Sequence, residues 1–112
     1  MSDPGKDILE HLHGLETKGR PGLAAQVLEM FLQDTSARLG ALRDAIGRRD
    51  GDATYRVAHT MQGSAAMVGA ASVAQSCAEL AAAARSESFD RCEALATELV
   101  ASFEAIQRGV AG

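Results

Sequence analysis

Apolar residues recur at every third or fourth position along most of the chain, which is the spacing of one face of an α-helix. The longest series begins at Leu23 and predicts a helix of about 27 residues that ends near Arg49. The sequence leaves open whether the helix is continuous or is broken near Thr35-Ser36 or Gly40. Its apolar positions are Leu23, Val27, Leu28, Phe31, Thr35, Leu39, Leu42 and Ile46.

The turns between the predicted helices are marked by glycine and aspartate. In Asp50-Gly51-Asp52, Gly51 suits the left-handed residue that ends a helix and Asp52 suits the N-cap of the next one. Gly69 offers the same kind of stop to this second helix, which we expect to reach Val68. Connections this short place consecutive helices antiparallel.

Two further amphipathic segments and a shorter N-terminal one complete the pattern. Ser72 and Gln75 have the spacing of a capping box that opens the third helix, and this helix frays through residues 85–88. A short helix opens at Asp3-Pro4 and covers one end of the bundle. The expected fold is all-α, an antiparallel up-down four-helix bundle with an additional short N-terminal helix. The apolar positions of these three segments are Val73, Cys77, Leu80, Ala81 and Ala84; Phe89, Cys92, Leu95, Ala96, Leu99, Phe103, Ile106 and Val110; and Ile8, Leu9, Leu12 and Leu15.

Length and charge narrow the class of protein. With 112 residues the chain forms a single domain over 1–112, in which residues 1–22 are the N-terminal helix and loop and about 23–110 the bundle core. The formal net charge of −4 argues against binding to nucleic acid or to an anionic membrane surface. No apolar run is long enough to span a membrane and no signal peptide is recognisable, so we expect the protein in the cytoplasm. The sequence leaves the oligomeric state open, and a monomer is the default expectation.

The residues that could bind a metal or react through sulfur are scattered. Cys77 and Cys92 lie on the apolar faces of different predicted helices, which favours buried free thiols over a disulfide or redox pair. His11 and His13 are two positions apart and point to different sides of a helix. With no metal-binding motif and no glycine-rich phosphate loop, we expect neither a metal site nor a cofactor.

The second predicted helix carries a histidine on its outward side, because His59 lies almost opposite the apolar positions on a helical wheel. A neutral imidazole offers a nitrogen lone pair to phosphorus, and phosphoryl transfer asks for little beyond positioning and stabilisation of negative charge. Position alone favours an ordinary surface histidine. The interpretation of His59 as a candidate phosphoacceptor depends also on the small residues Gly63 and Ala66 beside it and on the motif described below. The apolar side comprises Val57, Met61, Ser64, Ala65 and Val68, and the outward arc comprises Tyr55, Arg56, Gln62, Gly63 and Ala66.

Gly63 needs an explanation, because a glycine inside an exposed helix costs about 1 kcal/mol relative to alanine. Close packing against a neighbouring helix is one explanation and room for a docking partner is the other. The helical angle of Gly63 is nearer to His59 than to the apolar side, which favours docking. Ser64 points toward the core and is given no catalytic role.

The run His59-Thr60-Met61-Gln62-Gly63, followed by Gly69, resembles the signature of histidine-containing phosphotransfer (HPt) domains. In that family the histidine is followed three residues later by lysine and then glycine, so Gln62 departs from the pattern. The resemblance covers about residues 23–110. It implies a phosphorelay intermediate in which His59 accepts a phosphoryl group from the receiver domain of a hybrid sensor kinase and passes it to the receiver of a response regulator. Such a protein is a phosphocarrier without ATP-dependent kinase activity.

The departure at Gln62 bears on how the phosphoryl group is held. A glutamine amide can donate a hydrogen bond but carries no charge, and Arg56, three residues before His59, lies where it can supply part of the missing charge. We therefore expect Gln62 and Arg56 to stabilise the phosphoryl group, with an altered transfer rate or phosphohistidine lifetime. The docking face is expected to include Tyr55, Gly63, Ala66 and Met67.

Two alternatives remain on the sequence alone. The first is a receiver-binding module without efficient phosphotransfer, for which Gln62 is the reason. The second is an unrelated helical-bundle interaction protein whose motif match is accidental. The initiating Met1 and the short length favour a free-standing protein over a piece of a sensor kinase.

Overall fold

The computed structural model describes residues 3–15 and 22–111, apart from the side chains of residues 15 and 111. This part of the chain consists of helices joined by turns and contains no strands. The all-α prediction is confirmed. The five helices are α1 (Pro4–Leu15), α2 (Leu23–Gly47), α3 (Gly51–Met67), α4 (Ala71–Arg85) and α5 (Phe89–Ala111).

The last four helices form a closed bundle. Each packs on the next along the chain, and α5 returns to α2, while α1 lies against α5 and α2. The centre is filled by aliphatic side chains, each of which contributes roughly 1.5–3 kcal/mol on full burial. The largest side chains buried there are Ile8, Leu42, Leu80, Leu95, Leu99 and Ile106.

The short helix α1 covers the bundle as predicted. Oδ1 of Asp3 accepts hydrogen bonds from the backbone N–H groups of Gly5 and Lys6, which caps the helix where the sequence indicated. Gly5 lets α1 approach α5 closely, because a Cβ there would lie 2.7 Å from the carbonyl oxygen of Ile106. The predicted contribution of Leu15 lies outside the described side chains.

Helix α2 is continuous, and no break occurs at Thr35-Ser36 or at Gly40. Thr35 is buried on the same side as Leu28 and Phe31, so the apolar side is maintained through the middle of the helix. The helix ends at Gly47, two residues before the predicted end near Arg49, because Arg48 and Arg49 already belong to the turn.

The three turns of the bundle share one geometry. Each connection has three residues, its second residue is left-handed, and its third residue donates a backbone hydrogen bond to a carbonyl five positions back, as in a Schellman motif. The left-handed residues are Arg49, Gly69 and Glu87, with φ of 56°, 77° and 53°. The closing bonds run from Asp50, Ala70 and Ser88 to Ala45, Ala65 and Ala83, at 3.0, 2.8 and 2.9 Å.

This geometry corrects the predicted turn between α2 and α3. Gly51 is the first residue of α3 and not the left-handed residue, which is Arg49. The N-cap is Asp50, whose side chain accepts a hydrogen bond from the N–H of Ala53 at 3.0 Å, and Asp52 lies in the first turn of the helix. The predictions for Gly51 and Asp52 are wrong because a three-residue turn makes its last residue the cap.

The predicted capping box at the start of α4 is also wrong. The helix begins at Ala71, and the N-cap residue Ala70 makes no side-chain capping bond. Ser72 is already inside the helix, since the turn after Gly69 places the helix start earlier than the Ser72–Gln75 spacing suggests. Burial of Ala70 explains why an apolar residue occupies the cap position.

Candidate functional site

Helix α3 holds His59 on the surface of the bundle, and its imidazole is exposed, as the helical angle predicted. The buried side of α3 is turned by about one residue from the predicted one, since Thr54 and Ala58 are buried whereas Val57 and Ser64 are only half-buried. Thr54 tolerates burial because its hydroxyl donates to the carbonyl of Asp50 at 2.7 Å.

The His59 ring stacks on an aromatic ring one turn earlier in α3. The Tyr55 and His59 centroids are 5.7 Å apart and their planes differ by 13°. Tyr55 is half-buried and packs against the hydrophobic core, so its ring is anchored more firmly than a free surface side chain. The imidazole therefore has an aromatic contact on one side while the rest of its surroundings are open.

A second helix contributes to the same cluster. Cζ of Arg85, in the last turn of α4, lies 4.2 Å from the Tyr55 centroid, which is within the range of a cation–π interaction. The sequence analysis missed Arg85. The signal that could have found it is the short turn between α3 and α4, which returns the end of α4 to the beginning of α3.

Arg56 is available to interact with an anion. Its Nη2 lies 3.3 Å from Oδ2 of Asp52, with both side chains mostly exposed at 70% and 77%. Exposed pairs of this kind are worth about 0–1 kcal/mol, so the guanidinium can leave Asp52 at little cost. The carbonyl of Arg56 also accepts a hydrogen bond from the Thr60 hydroxyl at 3.0 Å, which is common for threonine in helices.

The surface beyond His59 is small and open. Gly63 is exposed, and a Cβ built there meets no atom within 4 Å, so the close-packing explanation for this glycine is wrong. Ala66 is exposed as well, and the side chain of Met67 is exposed at 76%, more than any other large hydrophobic side chain among the described residues. Gln62, three residues after His59, is half-buried.

An open groove lies next to the aromatic cluster around His59. A shallow groove beside Tyr55 runs between the start of α3 and the end of α4, and both arginines border it. Within residues 3–15 and 22–111, no cluster of three or more potential metal ligands occurs. His11 and His13 are exposed on α1, and His11 packs against Gly69 at the turn after α3.

The cysteines lie away from this surface. Cys77 and Cys92 are free and buried, as predicted. Burial raises the pKa of the Cys77 thiol to about 12 and raises that of Cys92 as well, which disfavours the reactive thiolate. No helix in the described part of the chain has both the length and the apolar character that a membrane span requires.

Comparisons with known proteins agree on this architecture. A family model described as the Hpt domain matches residues 26–109, which include most of α2, all of α3 and α4 and most of α5. The crystal structure of histidine-containing phosphotransfer protein B (HptB) from Pseudomonas aeruginosa PAO1 is similar, with a TM-score of 0.80 and 26% identity over 89% of this chain and 87% of that one. No curated protein matches the chain significantly.

Proposed function

Because the chain belongs to the Hpt domain family, we propose that it is a phosphorelay intermediate in which His59 accepts a phosphoryl group from one receiver domain and passes it to another. The supporting observation is the exposed imidazole in the middle of α3, beside a surface with no bulky side chain at Gly63 or Ala66. Family membership removes the alternative of an unrelated helical bundle.

The chemical step needs a nucleophile and a partner that brings the activated phosphate. A neutral nitrogen of the His59 ring attacks the phosphorus of an aspartyl phosphate, the N–P bond forms, and the P–O bond breaks with the receiver carboxylate as leaving group. Transfer to the second receiver reverses these roles. The receivers supply the acidic Mg²⁺ site, and this chain supplies the nucleophile and the docking face, without ATP-dependent kinase activity of its own.

Two side chains of α3 lie where they can stabilise the phosphoryl group, one by a hydrogen bond and the other by its charge. Gln62, three residues after His59, donates from its amide, and Arg56, three residues before it, contributes a positive charge once it leaves Asp52. Both lie on the helix face neighbouring His59 because residues three apart are adjacent on an α-helix. We expect the neutral amide of Gln62 to stabilise the phosphohistidine less than a lysine ammonium at this position would.

The docking face comprises Tyr55, Gly63, Ala66 and Met67 around His59. The exposure of the Met67 side chain and the open space above Gly63 support close approach of a partner surface. Relay partners separate after each transfer, which fits a small interface of modest affinity. We propose as partners the receivers of a hybrid sensor kinase and of a response regulator, which this chain meets in the cytoplasm. We propose that it acts as a monomer, since a second copy bound at this face would block the receivers.

Incubation with a phosphorylated receiver tests the proposal. The expected result is acid-labile, base-stable phosphate on the wild-type chain, its loss in His59→Gln, and its retention in His13→Gln, which removes an exposed histidine from α1. Label that persists in His59→Gln refutes the assignment of the site. Absence of both label and receiver binding refutes the function.

A second candidate is a receiver-binding module that transfers phosphate poorly. The observation that favours it is Gln62, which places no positive charge three residues after the histidine. Saturable receiver binding without label on His59 would favour this module over the relay intermediate.

A further inference from the structure

The motif and its resemblance assign no role to Arg85, although this side chain takes part in the cluster around His59. Its guanidinium lies over the Tyr55 ring at 4.2 Å, and the same ring stacks on His59 at 5.7 Å with nearly parallel planes. Contacts therefore run without interruption from the last turn of α4 to the candidate phosphoacceptor on α3.

We propose that Arg85 is a positioning residue for His59: it holds the Tyr55 ring in place, and Tyr55 restricts the imidazole to the orientation from which it reacts. This inference rests on the proposed function, in that the reaction being positioned is phosphoryl transfer. Arg85 does not need to touch the phosphoryl group to have this effect.

The choice of Arg85 follows from what else surrounds it. Ion pairs in the described part of the chain occupy Arg38, Arg48, Arg49 and Arg56, whereas Arg85 pairs with no carboxylate there and its guanidinium lies over the Tyr55 ring. Glu87 lines the same groove as Arg85, but the two side chains form no ion pair. The carbonyl end of α4 also favours a cation at this position through the helix dipole.

An exposed histidine needs such a restraint because its side chain otherwise samples several rotamers on a helix. A stacked ring at the position one turn earlier excludes part of that range, and reactions gain rate when the reacting atoms are held near the geometry of attack. A cation–π contact at an exposed site corresponds to about a two- to fivefold change in a rate or equilibrium. Loss of Arg85 should slow the reaction by that factor.

The test uses two phosphodonors, because positioning of the ring and docking of a partner respond differently to them. Phosphoramidate is a small donor that needs no docking face, whereas a phosphorylated receiver needs both. Arg85→Ala should slow labelling of His59 by about two- to fivefold with each donor. Arg85→Lys should recover part of the rate, and Tyr55→Phe should keep most of it, since each retains a cation or a ring.

Two further variants test whether the effect is specific to Arg85 and whether it depends on Tyr55. Arg91→Ala removes an exposed arginine from the start of α5 and should leave both rates unchanged. In a Tyr55→Ala background, Arg85→Ala should have no further effect, because Arg85 acts through that ring. Additive losses in the double variant, or a loss confined to the receiver as donor, would overturn the proposal, the latter by making Arg85 a docking residue.

NMR spectroscopy reports on the stacking of the His59 ring without any phosphoryl transfer. Stacking on Tyr55 displaces the NMR signals of the His59 ring protons through the aromatic ring current, and His59→Gln identifies those signals. Arg85→Ala should move them part of the way toward their positions in Tyr55→Ala, whereas unchanged signals contradict the proposal. If the wild-type chain takes no phosphate from either donor, the proposed function fails while this measurement still decides the role of Arg85.

Discussion

Replacement of Gly63 by alanine should make the protein more stable and less active. The added Cβ meets no atom within 4 Å, so it causes no clash in the folded chain. Removing a glycine from the interior of an exposed helix gains about 1 kcal/mol. For a chain of this length that corresponds to a rise in Tm of about 4 °C, measured by thermal and urea denaturation.

The same methyl group lies one helical turn from His59, on the side where we propose that a receiver docks. A methyl group forced into a close contact costs about 1–3 kcal/mol, or roughly five- to 150-fold in rate. Gly63→Ala should lie at the lower end of this range and Gly63→Leu at the upper end when transfer from a phosphorylated receiver is timed. Labelling by phosphoramidate should stay at the wild-type rate, because that donor does not contact Gly63.

Gly40→Ala is the matched control. Gly40 is also exposed inside a helix with no atom within 4 Å of a built Cβ, and it lies on the side of α2 away from the core. This variant should gain the same stability and keep the wild-type transfer rate. Wild-type transfer by Gly63→Leu would refute the docking role of Gly63, and no gain in stability in either alanine variant would refute the helix-propensity argument.

Three further predictions concern charge, backbone conformation and burial. Gln62→Lys should lengthen the lifetime of the phosphohistidine on His59, because a charged donor binds phosphate more strongly than an amide; an unchanged decay of the label would contradict this. Glu87→Gly should raise the free energy of unfolding by about 1 kcal/mol, because Glu87 has a φ of 53° that L-residues adopt at a cost, and a lower urea midpoint would contradict it. Burial raises the pKa of the Cys77 thiol from 9.0 to about 12, so the unfolded chain loses this proton first and stability falls as pH rises above 9. Between pH 8 and pH 10, the free energy of unfolding should fall by about 1.4 kcal/mol less in Cys77→Ala than in the wild-type chain. Equal falls would show that Cys77 does not cause this pH dependence.

The helices were predictable because their apolar residues repeat with the period of an α-helix, and burial follows that period in the structure. Leu28, Leu42, Leu80 and Leu99 are all buried where the pattern placed them. The conformations of the turns were harder to predict from the sequence. Gly69 was identified because glycine favours a positive φ, whereas the same conformation at Arg49 and Glu87 has no marker in the residue type.

The candidate site was predictable only as far as it lies on one helix. The exposure of His59 and Gly63 follows from their angles on α3, which a helical wheel provides. The contact of Arg85 with Tyr55 depends on how α4 is aligned beside α3, and that alignment is set by the turn after Gly69, which starts α4 earlier than the Ser72–Gln75 spacing indicated. Spacing along the sequence contains too little information about contacts between helices.

Each bundle helix is joined to the next by only three residues, and the same hydrogen-bonded turn closes all three joints. A turn this short and hydrogen-bonded resists sliding of one helix along the next, so the proposed phosphoacceptor is presented at a fixed place on the bundle. If the protein relays phosphate as we propose, any rearrangement takes place in the partner proteins, and the donor and the recipient recognise the same surface.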